Sequence, residues 1–109
     1  LIALADDSQA PGVFQAAADL DRSVPADLSI LGFGNQDHRS ASTLGLTTVE
    51  WPLKDMTEAA VASIINVIEG HSPMTDIHPS ASIDDAPDGT PIATIPTRPV
   101  WRSSVARRS

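Results

Sequence analysis

The sequence predicts an α/β fold: a parallel sheet with flanking helices, incomplete as it stands, plus a β-hairpin near residues 80–95. Three observations predict it. Two short apolar runs, "LIALA" (1–5) and "LSILGF" (28–33), bracket a stripe of apolar residues at helical spacing. A long amphipathic segment, 53–70, carries an apolar face wide enough to need a sheet against it. The stretch "DAPDG" (85–89) is a turn sequence between two short extended segments.

The first run has no alternation of apolar and polar residues, as expected of a strand covered on both faces in a parallel sheet. "DDS" (6–8) then signals a helix start, with Asp7 or Ser8 as the cap of the first turn. In the helix predicted over 8–21, Ala10, Val13, Phe14, Ala17 and Leu20 form one stripe, and Pro11 is tolerated because it sits in the first turn. The second run makes residues 1–33 a βαβ unit with a parallel, right-handed crossover. Residues 34–48 read as a polar loop with a short turn around 39–42, and "LTTVEWP" as a brief extended stretch.

The 53–70 segment is the strongest helix signal, with Leu53, Met56, Ala60, Val61, Ile64, Ile65 and Ile68 on one face and Gly70 closing it. Beyond it the composition turns to Pro, Asp, Ser and Thr, and a hairpin is predicted that pairs 80–83 with 92–95. "RPVWRSSV" (98–105) is the last extended segment.

At 109 residues, 41% hydrophobic and 19% charged, the chain has the size and composition of one globular domain and lies outside the disordered range. Seven Lys and Arg stand against fourteen Asp and Glu, and the net charge of -7 excludes a nucleic-acid clamp in this segment. The one basic cluster, Arg102, Arg107 and Arg108, reads as a solvated tail. Absence of Cys removes disulfides and thiolate metal sites and fits a cytoplasmic protein. No apolar run reaches the roughly 18 residues of a membrane helix. The chain opens at Leu1 inside an apolar run, which reads as a piece of something longer.

Ligands of open parallel sheets gather at the carboxyl ends of the strands. Two such ends are visible, "DDS" at 6–8 and "GNQD" at 34–37, and neighbouring strands would bring them to one rim suited to a polyol or another polar small molecule. Because one cap suffices for the helix, Asp6 is the residue expected to face a ligand. His38, His71 and His78 lie in predicted loops at irregular spacing and read as surface residues, so no metal is expected. No nucleophile elbow, triad order or phosphate-binding glycine pattern is present, and neither enzymatic activity nor a cofactor is predicted.

The blocks "ADDSQAPGVFQAA", "VPADLSILGFGN", "LTTVEWPLKDMTEAAVASIINVIEG" and "IPTRPVWRSSV", in this order, resemble the C-terminal part of the lactose-repressor/galactose-repressor (LacI/GalR) family of bacterial transcription regulators. The resemblance covers most of the chain except roughly 71–90. It implies a fragment of a periplasmic-binding-protein-like type I domain, with two Rossmann-like lobes joined by crossover strands, an effector in the cleft, and a helix-turn-helix head ahead of them. Residues 1–49 would belong to the C-terminal lobe, 50–52 to the hinge, 53–95 to the N-terminal lobe, and 96–109 to the return crossover and tail. Helix 53–69 would then need covering by a second copy or by residues 1–49, since each Leu, Ile or Met left exposed forgoes roughly 1.5–3 kcal/mol.

The same resemblance implies roles for particular residues. Asp6 stands where effector contact is usual, with Ser8 a second contact. After the second strand the family has a carboxylate at the position of Gly34, followed by Asp or Asn, here Asn35. Either Asn35 and Asp37 supply a shifted contact, or the effector does not use that carboxylate. Trp51 replaces a common Gln at the hinge, where its indole serves as a stacking face for an effector or as hinge packing. Phe14 and His38 fall at the implied homodimer contact. The function implied is the effector-binding and dimerisation part of a regulator that senses a small molecule, a sugar by preference, and controls DNA binding allosterically. The alternative is a solute-binding protein of an ABC-type sugar transport system.

Overall fold

The computed structural model describes residues 1–107, so Arg108 of the basic cluster lies outside the described residues. In chain order the elements are β1 (Ile2–Ala3), a 3-10 turn (Asp7–Gln9), α1 (Ala10–Asp19), β2 (Ile30–Gly34), α2 (His38–Leu44), β3 (Thr47–Glu50), α3 (Leu53–Ile68), β4 (Ser82–Asp85), β5 (Pro91–Thr94) and β6 (Arg98–Val100). They divide between two compact units, Leu1–Trp51 with Thr97–Ser109, and Pro52–Pro96.

The first unit is built on a four-stranded sheet in the order β1-β2-β3-β6. β1 and β2 run parallel with α1 between them in sequence, the βαβ unit that the apolar runs predict. β3 extends the parallel set, and β6 closes it antiparallel, placing Arg98 opposite Glu50. Ala10, Ile30, Ala41 and Leu46 form the buried core, and Leu4, Val13, Phe14 and Leu44 pack around it. Ile30 and Leu46, essentially inaccessible, each contribute about 1.5–3 kcal/mol of burial.

The first unit departs from the sequence expectation at three points. The "LIALA" strand is not covered on both faces: Leu1 and Ile2 are exposed, on a strand that among the described residues pairs with β2 alone. Residues 38–44, read as part of a loop, form α2. Its entry is capped by the Asp37 carboxylate, which accepts the Ser40 N–H at 3.1 Å, and its exit by Gly45 in the left-handed region at φ 66°. A seven-residue helix that buries only Ala41 offers too little periodicity to be seen in "HRSASTL". Finally, Arg102 is no tail residue: its guanidinium donates to the Leu46 carbonyl at 2.6 Å and to Asn35 Oδ1 at 3.2 Å.

The stretch after β6 completes the core. The buried Ser104 hydroxyl donates to the Ile30 carbonyl at 2.6 Å and accepts the Thr47 N–H at 2.8 Å, tying β2 to β3 from outside both strands. Its backbone carbonyl accepts the Ile30 N–H at 2.8 Å.

The second unit holds α3 and the antiparallel hairpin β4–β5, in which Ser82 faces Thr94 and Asp85 faces Pro91. The hairpin is the predicted one with its first strand starting two residues later and its second one residue earlier, since Ala86 and Thr90 close the turn and Gly89 takes φ 83°. α3 ends as predicted at a positive-φ Gly70. Of its residues only Ala59 is buried. Leu53, Met56, Val61, Ile64, Ile65 and Ile68, read as the core-facing stripe, are exposed. On another face Asn66 donates to the Thr75 carbonyl at 2.8 Å, anchoring the segment that buries Ile77.

Candidate functional site

Because β1 and β2 are parallel neighbours, their carboxyl ends share one edge of the first unit. There the chain encloses a recess of about 230 Å³ whose polar lining comes from Asp6, Asp7, Ser8, Gln36, Asp37 and Ser40, with Phe33 among its apolar walls. The two polar clusters singled out in the sequence therefore meet.

The division of labour among them differs from expectation. Asp6, not Asp7 or Ser8, is the cap: its carboxylate accepts the Ser8 N–H at 2.7 Å, while the Gln9 side chain takes the Ala5 and Asp6 N–H groups in return. Hydrogen bonding from Ser8, side chain first and then backbone, holds the Asp6 carboxyl below its usual range. Asp6 stays exposed on the recess all the same, and so does Ser8.

Asp7 points inward, accepting the Asn35 N–H at 2.8 Å and the Thr48 hydroxyl at 2.7 Å. It can do so because Gly32 has no side chain: a Cβ there would collide with Asp7 Oδ1 and stand 2.8 Å from Leu46 Cδ2. Sequence reasoning missed this, although a glycine inside an apolar strand is the usual mark of a close approach.

Gly34 and Asn35 follow in the left-handed half of backbone space, at φ 119° and 52°. Asn35 is only 3% exposed, and its amide is engaged: Nδ2 donates to Glu50 Oε1 at 3.1 Å and lies 3.0 Å from His38 Nδ1, while Oδ1 accepts from Arg102. In this structure Asn35 braces the rim from behind instead of facing the recess. Asp37 lines the recess and caps α2, and the Ser40 hydroxyl is the main reason its carboxyl is held low. Glu50 bonds the Arg98 guanidinium as well as Asn35, and Arg98 is the chief cause of its lowered pKa.

Trp51 meets Phe33 edge to face, with centroids 5.6 Å apart and planes at 77°, and still exposes 42% of its surface. The indole thus packs on Phe33 while part of its surface stays exposed. Of the two dimer candidates, His38 is exposed, whereas Phe14 is half-buried against its own core.

The second unit holds one further polar cluster, which the sequence reading of surface histidines missed. His78 Nε2 lies 3.5 Å from Asp55 and 3.2 Å from Glu58, and donor atoms of all three fall within 4.8 Å of one another. The other ring nitrogen decides its chemistry: His78 Nδ1 accepts the Ser80 N–H at 3.0 Å, which leaves the proton on Nε2, directed at the carboxylates. A metal-binding histidine has the reverse arrangement, donating through its second nitrogen. The cluster is a hydrogen-bonded clasp between α3 and the segment leading to the hairpin.

Residues 1–105 match the periplasmic binding protein-like domain family, and the chain belongs to it. Within that class the matches are to HTH-type and LacI-family transcriptional regulators. The chain is 37% identical over 62 residues to the HTH-type transcriptional regulator MalR of Clostridium butyricum, covering 57% of this chain and 18% of that protein. It is 35% identical over 69 residues to MalR of Streptomyces coelicolor, covering 63% and 20%. Among solved structures, dimeric Lac repressor superposes with a TM-score of 0.68 at 18% identity, covering 94% of this chain and 32% of that one. A LacI-family regulator from Burkholderia phymatum gives 0.62 at 26% identity, covering 96% and 32%. The chain thus spans about a fifth of the length of the regulators it matches in sequence. Among the described residues no helix is long and apolar enough to cross a membrane.

Proposed function

We propose that this chain is the part of a LacI-type regulator that binds a small polar effector, a sugar by preference, and contributes to its homodimer. In this reading residues 1–49 are part of the C-terminal lobe, 50–52 the hinge, 53–95 part of the N-terminal lobe, and 96–109 the return crossover to the C-terminal lobe and tail. DNA is bound by a helix-turn-helix head outside these residues, and effector binding shifts the population of lobe arrangements that the head can use. The protein would work in the cytoplasm. Relatives named as HTH-type regulators favour this over a transport-linked solute-binding protein.

The observation that carries the reading is the recess at the shared carboxyl edge of β1 and β2. Asp6 and Ser8 present acceptors and a hydroxyl there, and Trp51, just past the end of β3 and not among the residues that line the recess, keeps part of its indole exposed against Phe33. With Gly34 carrying no carboxylate and Asn35 turned inward, Asp6 and Asp37 are the exposed carboxylates left for an effector's hydroxyls. Phe14 and His38 remain the proposed dimer contacts, His38 through its exposed ring.

Thermal-shift screening of the intact regulator against neutral sugars and nucleosides tests this. A ligand at a hundred times its dissociation constant adds about 2.7 kcal/mol. Asp6→Ser keeps a capping oxygen and removes the carboxylate, so the ligand-induced increment should vanish while the unliganded melting point stays near the parent's. An increment that survives Asp6→Ser moves the site elsewhere.

A further inference from the structure

One row of residues runs across the carboxyl edge of the sheet: Gly34 on β2 is in register with Glu50 on β3, and Glu50 with Arg98 on β6. The side chains continue the row. Glu50 Oε1 accepts from Asn35 Nδ2 at 3.1 Å, and Oε2 accepts from Arg98 Nε. Asn35 also presents its backbone N–H to Asp7, the residue between the two recess-lining positions 6 and 8. Beneath this row the Trp51 N–H donates to the Gly34 carbonyl at 3.2 Å.

The position of Glu50 along the chain gives the row its meaning. It is the last residue of β3, and after Trp51 the chain enters the second unit; Arg98 opens β6, where the chain has just come back. One carboxylate therefore joins both crossings to the rim: it is carried by the last residue of β3, its Oε2 accepts from Arg98 at the start of β6, and its Oε1 accepts from the rim residue Asn35. Glu50 is not exposed, whereas the Arg98 side chain is 76% accessible, so the acid is the fixed member and the guanidinium the one drawn to it.

Resting on the effector reading above, we propose that Glu50 is the positioning residue that links the rim of the recess to both chain segments crossing between the units. A change at the rim that moves Asn35 alters the hold on β3 and on β6 together. It needs no contact between Arg98 and the effector.

The test uses the intact regulator and its nuclear magnetic resonance spectrum. Arg98 does not touch Asn35, yet Arg98→Gln should shift the Asn35 side-chain amide resonances and should leave them unmoved in a Glu50→Gln background. A merely local role for the ion pair would leave Asn35 unmoved in both. Glu50→Gln should also speed amide exchange about tenfold at both Trp51 and Val100, as expected for loss of a charge-assisted bond, while the Ile30 amide changes little. Acceleration at only one strand, or equal acceleration at Ile30, would overturn the proposal.

Maltose and glucose serve as probes of function. If either binds the parent, Glu50→Gln should keep its affinity within about threefold but lose the protection that the sugar confers on β6; retained protection refutes the link. If neither sugar nor any nucleoside binds, the effector reading fails, and the unliganded resonance and exchange comparisons still decide the role of Glu50.

Discussion

Gly32→Ala should be among the most damaging single-methyl changes in the first unit. The added Cβ would stand 3.2 Å from Asp7 Cγ and 2.8 Å from Leu46 Cδ2, and nearer still to Asp7 Oδ1. Leu46 is 1% exposed and cannot withdraw without disturbing the core. If Asp7 swings away, the Thr48 hydroxyl and the Asn35 N–H, both on buried residues, lose a charged acceptor, at about 1.5–3 kcal/mol each. Crowding Leu46 adds roughly 1–3 kcal/mol. Against this, replacing glycine inside a strand returns about 0.5–1 kcal/mol. The balance is a loss of at least about 3 kcal/mol, a large share of a typical stability of about 5–15 kcal/mol. Urea unfolding of the intact protein measures it, with Asp7→Ala as the second arm. Once Asp7 is gone only the Leu46 contact remains, so Gly32→Ala should cost at least about 2 kcal/mol less in that background. A cost below about 1 kcal/mol, or strict additivity of the two changes, refutes the argument.

Ser104→Ala removes the hydroxyl that accepts the buried Thr47 N–H and should lower stability by about 1–3 kcal/mol, read from the urea midpoint. Gly45→Ala should cost more than the roughly 1–2 kcal/mol of its left-handed backbone, because its Cβ also meets Ser103 Oγ; in a Ser103→Ala background only the backbone cost should remain. Glu50 has a folded pKa below its unfolded value, so its contribution is fully present above the ordinary carboxylate range near about 4.3 and is lost as pH falls through the folded value. Melting scans from neutral to acid should show parent and Glu50→Gln converging below that range.

The βαβ unit and α3 could be read from the sequence because their apolar residues repeat with a period that physical chemistry ties to one structure. α2 could not, since "HRSASTL" is made of residues that serve caps and turns equally well. The rim was legible as a place but not in its roles. Asp6 and Asp7 are adjacent and chemically identical, and which one turns inward is decided by the gap at Gly32, a strand away. Glu50 and Arg98 are 48 positions apart, and Arg102 sits among basic residues that look like a tail until Leu46 and Asn35 are seen to receive it. Long-range pairing of this kind leaves no local trace. The stripe on α3 shows the converse: its composition was plain, but composition does not say what lies against it.

The interrupted course of the first unit bears on how the protein is made. A ribosome delivers β1, β2 and β3 and then must add all of Pro52–Pro96 before β6 and Ser104 emerge. Until then the free side of β3 offers unpaired N–H and C=O groups to any neighbouring strand. Nascent chains paused short of Arg98 are therefore the species most exposed to mispairing, and the speed of translation through the second unit becomes part of how reliably the first one forms.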